Sequence, residues 1–127
     1  MNLDEWMRYE SPTKGEVDSV TVNVCAAVAA LHSAGVAHRD LKPQQLCFRS
    51  RGATLQLKLL DVDMAVWFKK GPTPLLGLTP AFAAPEALRD RALLAGPEVD
   101  VYAVGLILAQ LRHPNKQQVR PSDPLCL

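Results

Sequence analysis

The amino-acid sequence reads as a mainly α fold with short β strands, an α+β domain. Three observations predict this. Residues 16–33 and 98–111 carry apolar side chains at helical spacing, and 54–60 alternate as a strand does. Passages rich in proline, glycine and serine separate these stretches and mark turns.

Along the chain, Leu3, Trp6 and Met7 fall on one face of a short predicted helix, which Ser11-Pro12-Thr13-Lys14-Gly15 breaks. A second helix is predicted from about Glu16 to Ser33, with Val17, Val20, Val24, Val28 and Leu31 on one face. β-Branched residues between Val20 and Val24 oppose it, the alanines at 26, 27, 29 and 30 favour it, and Gly35 stops it. Val36-Ala37 and Leu46-Cys47-Phe48 are short strand pieces, and Arg49-Ser50-Arg51-Gly52 is a predicted turn. In the strand from Thr54 to Leu60, Leu55, Leu57 and Leu59 oppose Gln56 and Lys58. A long loop runs from Gly71 to Pro85, where a short helix begins. Gly96-Pro97-Glu98 opens a last helix, apolar on nearly every side from Val99 to Leu111, which predicts cover all round. Residues 1–111 therefore read as one domain and 112–127, polar and without periodicity, as a disordered tail.

Composition narrows the function classes. At 127 residues, 48% apolar and 21% charged, the chain can bury a core. A net charge of +1 points to neither nucleic acid nor an anionic membrane surface. The apolar run from Val101 to Ala109 is too short for a membrane span, and the acidic N-terminus is no signal peptide. Cys25, Cys47 and Cys126 form no C-x-x-C pair and read as free thiols, which predicts a cytoplasmic protein. His32, His38 and Cys25 fit no zinc spacing.

The chemistry is concentrated in His38-Arg39-Asp40-Leu41-Lys42-Pro43-Gln44-Gln45-Leu46, polar groups gathered between apolar flanks. This stretch resembles the protein-kinase catalytic loop H-R-D-L-K-P-x-N, and Leu31-His32-Ser33-Ala34-Gly35-Val36 resembles its lead-in. Three further motifs follow in the family's order. Lys58-Leu59-Leu60-Asp61-Val62-Asp63 stands where the family ends a strand in D-F-G. Thr79-Pro80-Ala81-Phe82-Ala83-Ala84-Pro85-Glu86 resembles T-P-x-Y-x-A-P-E, and Asp100-Val101-Tyr102-Ala103-Val104-Gly105 resembles D-V-W-S-x-G.

The resemblance implies a serine/threonine-type kinase, transferring a phosphoryl group from ATP with Mg²⁺ to a protein hydroxyl. It makes Asp40 the acceptor of the hydroxyl proton and Lys42 the neutraliser of the moving phosphoryl charge. Asp61 and Gln45 become metal and cofactor ligands, since hard cations take oxygen. Thr79 is expected to bond back to Asp40 and Lys42, and Asp100 to tie down the loop backbone. His38 reads as structural. Arg39 reads as the receiver of a phosphorylated loop residue, with Thr73 the acceptor. Glu86 would pair with an arginine that has no counterpart here.

The pattern also breaks. Gln45 replaces the Asn that binds a second magnesium, moving the amide out by about 1.5 Å. Misplacement on that scale costs about a hundredfold in rate, roughly 2.7 kcal/mol of barrier. Val62-Asp63 replaces Phe-Gly, and Leu78 stands where the family has Gly, with Gly77 one place early. No G-x-G-x-x-G occurs, so the expectation is an incomplete large lobe without the ATP-covering small lobe. Weak or absent transfer by this chain alone follows from that reading. The alternatives are a non-catalytic kinase-like module binding a partner protein through the uncovered helix 99–111, a truncated gene product, or an unrelated helical binding domain.

Overall fold

The computed structural model describes residues 1–51, 54–71, 73–74, 79–89 and 94–113. The elements are α1 (Leu3–Tyr9), α2 (Lys14–Ser33), β1 (Val36–Ala37), β2 (Leu46–Arg51), β3 (Thr54–Leu59), β4 (Val66–Trp67), β5 (Thr73–Pro74), α3 (Pro85–Arg89), β6 (Leu94–Ala95) and α4 (Glu98–Arg112). Single 3₁₀ turns lie at Pro43–Gln45, Phe68–Lys70 and Pro80–Phe82. The fold is mostly helical with short strands, as the periodicity predicts.

Helix starts follow from capping. Asn2 and Glu5 form a capping box for α1, and Thr13 and Glu16 form one for α2. The second box starts α2 at Lys14, two residues before the predicted Glu16, because Glu16 is the third helical residue and not the first. Val20, Val24 and Val28 are buried along α2, so packing overrides the β-branched penalty. Thr21 Oγ1 donates to the Val17 carbonyl at 2.9 Å, which satisfies its hydroxyl within the helix. At the end of α2, Gly35 has φ +85°, a conformation that glycine takes without Cβ strain.

Among the described residues the strands form three two-stranded antiparallel sheets: β1 with β4, β2 with β3 and β5 with β6. The β1–β4 and β5–β6 pairings were not expected, since strands of two residues carry no readable alternation. The predicted turn at Arg49–Gly52 is corrected. Arg49, Ser50 and Arg51 pair with Gln56, Leu55 and Thr54, so the strand continues to Arg51. Met1 O accepts from Phe48 N–H at 3.0 Å, and Trp6 meets Phe48 with ring centroids 5.4 Å apart. The N-terminus is thereby pinned to β2.

The core forms where α2 crosses α4, with Val20, Val24 and Val28 in one cluster with Ala103, Ile107 and Leu111. Leu3, Leu41 and Leu46 close it from the loop side. Helix α4, read from the sequence as needing cover on every side that the chain does not supply, is covered on most sides and open on one. Val99, Ala103, Leu106, Ile107 and Leu111 are buried, but Val101 and Gly105, four apart, are exposed. Arg112 belongs to α4 and His113 caps it, so the helix runs past the predicted boundary. The rest of the predicted tail, Cys126, Gly52, and Leu78 with Gly77 lie outside the described residues. Among those described, no helix is long and apolar enough to cross a membrane.

Candidate active site

The loop after β1 is shaped from a distance. Asp100, in the first turn of α4, is 1% exposed. Its Oδ2 accepts from His38 N–H at 2.8 Å and its Oδ1 from Arg39 N–H at 2.7 Å. His32 Nε2 donates to Oδ2, also at 2.8 Å. A buried carboxylate is tolerated when its lone pairs are filled this way, and the N-terminal turn of a helix favours negative charge. The clamp holds Arg39 at φ +70°, which is uncommon for a side chain with a Cβ and costs on the order of 1 kcal/mol.

Arg39 is itself buried, and its Nε donates to the Met64 carbonyl at 3.0 Å. Burial pushes the guanidinium below its usual value, while the Asp100 charge opposes that shift. The proposed acceptor Thr73 stands in β5, paired with Ala95.

His38 is fully buried and links the loop to β3. Its Nδ1 accepts from Asp40 N–H at 3.2 Å, which leaves the ring proton on Nε2 to donate to the Leu60 carbonyl at 3.1 Å. Leu60 N–H donates to the Gln45 carbonyl at 2.7 Å. Both backbone groups of Leu60 are thus held by the loop, and Asp61 follows at φ +57°.

Asp40, Lys42 and Thr79 come together. Thr79 Oγ1 donates to Asp40 Oδ1 at 2.7 Å, and Lys42 Nζ donates to Thr79 Oγ1 at 3.1 Å. Lys42 Nζ lies 3.7 Å from Asp40 Oδ2. Local sequence explains the aim of both partners. Lys42 precedes Pro43 and Thr79 precedes Pro80, and a following proline holds each in extended backbone. Asp40 Oδ1 is occupied, whereas Oδ2 has only the ammonium near it among the described residues. The carboxylate can accept a proton at Oδ2 and Lys42 can neutralise an adjacent anion. A cavity of about 20 Å³, room for about one water, adjoins Asp40 and is lined also by Thr79, Phe82 and Ala84.

The metal-binding expectations separate. Asp61 is exposed, and a free carboxylate oxygen suits magnesium. Among the described residues its carboxylate has one bond, a long 3.4 Å contact from Asp63 N–H. Val62 is 57% exposed, so it does not enter the core. Gln45 is 5% exposed, and both amide atoms are buried without a hydrogen-bond partner among the described residues. An oxygen shut off from solvent does not fit a hydrated cation as it stands. Glu86 is exposed, near the start of α3.

Sequence reasoning missed His32 as a partner of Asp100: it placed the residue in the lead-in to the loop and weighed it against a zinc spacing that it does not fit. Cys25 is exposed, and no group of three metal-ligating residues exists among those described.

Comparisons with known proteins place the chain in a family. The family described as "Protein kinase domain" matches residues 1–120. Calcium-dependent protein kinase 7 of Oryza sativa subsp. japonica is 37% identical over 108 residues, 84% of this chain and 19% of its own length. Calcium-dependent protein kinase 32 of Arabidopsis thaliana is 37% identical over 98 residues, 76% of this chain and 18% of its own. Calcium-dependent protein kinase 5 of Oryza sativa subsp. japonica is 40% identical over 87 residues, 67% and 15% respectively. The chain spans less than a fifth of the length of these relatives. With the family matched over residues 1–120, this chain belongs to the protein kinase domain family.

Proposed function

We propose that this domain carries the catalytic-loop part of a serine/threonine phosphoryl-transfer site, in a kinase large-lobe-like arrangement. Asp40 accepts the proton of a protein hydroxyl at Oδ2, and Lys42 neutralises charge on the group being moved. The observation that carries this reading is the Thr79 hydroxyl, bonded to both Asp40 and Lys42 at 2.7 and 3.1 Å. ATP with Mg²⁺ is the phosphoryl source that the family implies, and Asp61 is the residue here with the chemistry to hold the ion. A protein hydroxyl is the substrate class, and the cytoplasm is the proposed compartment.

A second reading, a non-catalytic kinase-like module that binds a partner protein through the Val101 side of α4, is favoured by the buried Gln45 amide and the exposed Val62. Radiolabelled ATP, magnesium and a generic serine/threonine protein substrate separate the two. The first reading expects slow transfer that Asp40→Asn abolishes. Transfer no faster than that of Asp40→Asn removes activity from this chain and favours the second.

A further inference from the structure

We propose that Gln45 is a core residue and not a metal ligand, so that any divalent ion the domain holds is held without it. The backbone of Gln45 is fully engaged. Its N–H donates to the Lys42 carbonyl at 3.0 Å, and its carbonyl accepts from Leu60 N–H at 2.7 Å. The side chain is the opposite case. It is 5% exposed, and neither Nε2 nor Oε1 has a partner among the described residues. Helix α1 packs against the Pro43–Gln45 turn, and its Leu3 is completely buried. Leu46, next in the chain, is buried too.

A cation ligand has to present its oxygen to the space where the ion and its waters sit, because magnesium sheds water reluctantly. Gln45 Oε1 presents nothing to solvent, while Asp61 next to the same loop is open. The side chain behaves as a hydrocarbon stem ending in an unsatisfied amide. Such a group is destabilising, and an apolar residue of the same shape removes the cost. Gln45 therefore fixes the turn through its backbone and fills space beneath α1 with its stem. The inference rests on the kinase reading only in naming Asp61 as the remaining ligand; the burial argument stands without it.

Three versions of the chain decide the matter: wild type, Gln45→Met, which keeps the length and loses the amide, and Gln45→Glu, which keeps the shape and adds charge. Thermal midpoints are measured with and without millimolar manganese chloride. Gln45→Met raises the midpoint by about 3–8 °C, and Gln45→Glu lowers it by at least as much. The manganese-induced shift, whatever its size, is the same in all three. A lower midpoint or failure to fold for Gln45→Met overturns the proposal. So does a Gln45→Glu chain that gains an enlarged manganese shift, as a ligand position would. Loss of phosphate transfer in Asp40→Asn bears on the functional reading and leaves this outcome unaffected.

Discussion

Two loops meet at this site and are built in opposite ways. The segment from His38 to Lys42 is fastened at nearly every residue: two amides on Asp100, a buried imidazole on Leu60, a buried leucine, and an ammonium on Thr79. The segment from Asp61 to Asp63 is exposed throughout, with one long internal contact at 3.4 Å. The first loop is positioned by α4, some sixty residues away in sequence; the second is held by backbone, through Leu60 on one side and a bond from Ala65 N–H to the Val62 carbonyl at 2.9 Å on the other. Proton acceptance requires a carboxylate fixed in place. A metal-facing carboxylate can stay open and be ordered by its ligand. The difference teaches that the rigidity of this site belongs to the Asp40 side.

That contrast can be broken at its anchor. Asp100→Ala strips partners from two buried amides and takes the counter-charge from beside buried Arg39, so a loss of about 3–5 kcal/mol is expected in urea unfolding. A loss below 1 kcal/mol would mean the loop holds itself. Next in size is His32→Phe, which removes the third donor from Asp100 while keeping a ring near Phe68, now edge-on at a centroid distance of 6.1 Å. It is expected to cost about 1–2 kcal/mol. Thr79→Val, isosteric but without the hydroxyl, is expected to cost about 1 kcal/mol and to reduce any phosphate transfer. Thr79→Ser is expected to restore both. Smallest is Val62→Ser on the open side, within about 0.5 kcal/mol of wild type by the same measurement. A larger effect there would show that the open segment is packed in solution.

How much of this was legible follows the same division. The Asp40–Lys42–Thr79 group and the Asp100 clamp were legible only through the family resemblance of their motifs, since they join residues far apart in the chain. The α2 helix was legible from its valine spacing. His32 was not, because its partner stands 68 positions away and a lone histidine has several possible roles. The bond from His38 to Leu60 was hidden for a similar reason: its acceptor is a backbone carbonyl, which every residue possesses. The orientation of Gln45 was illegible because sequence fixes an amide's reach but not whether a neighbouring helix covers it. On α4 the apolar run read as a helix left without cover, yet its faces pack on α2 and on the segment from Pro80 to Ala87, and Val101 stays open.

The claim that α4 sets the catalytic loop is tested most directly by amide hydrogen exchange at His38 and Arg39 in wild type and in Asp100→Asn. The account predicts that both amides exchange in wild type as slowly as those of the α2 core, and that in the variant they exchange about a hundredfold faster than Val24 in the same molecule. Equal protection of His38, Arg39 and Val24 in Asp100→Asn would contradict it.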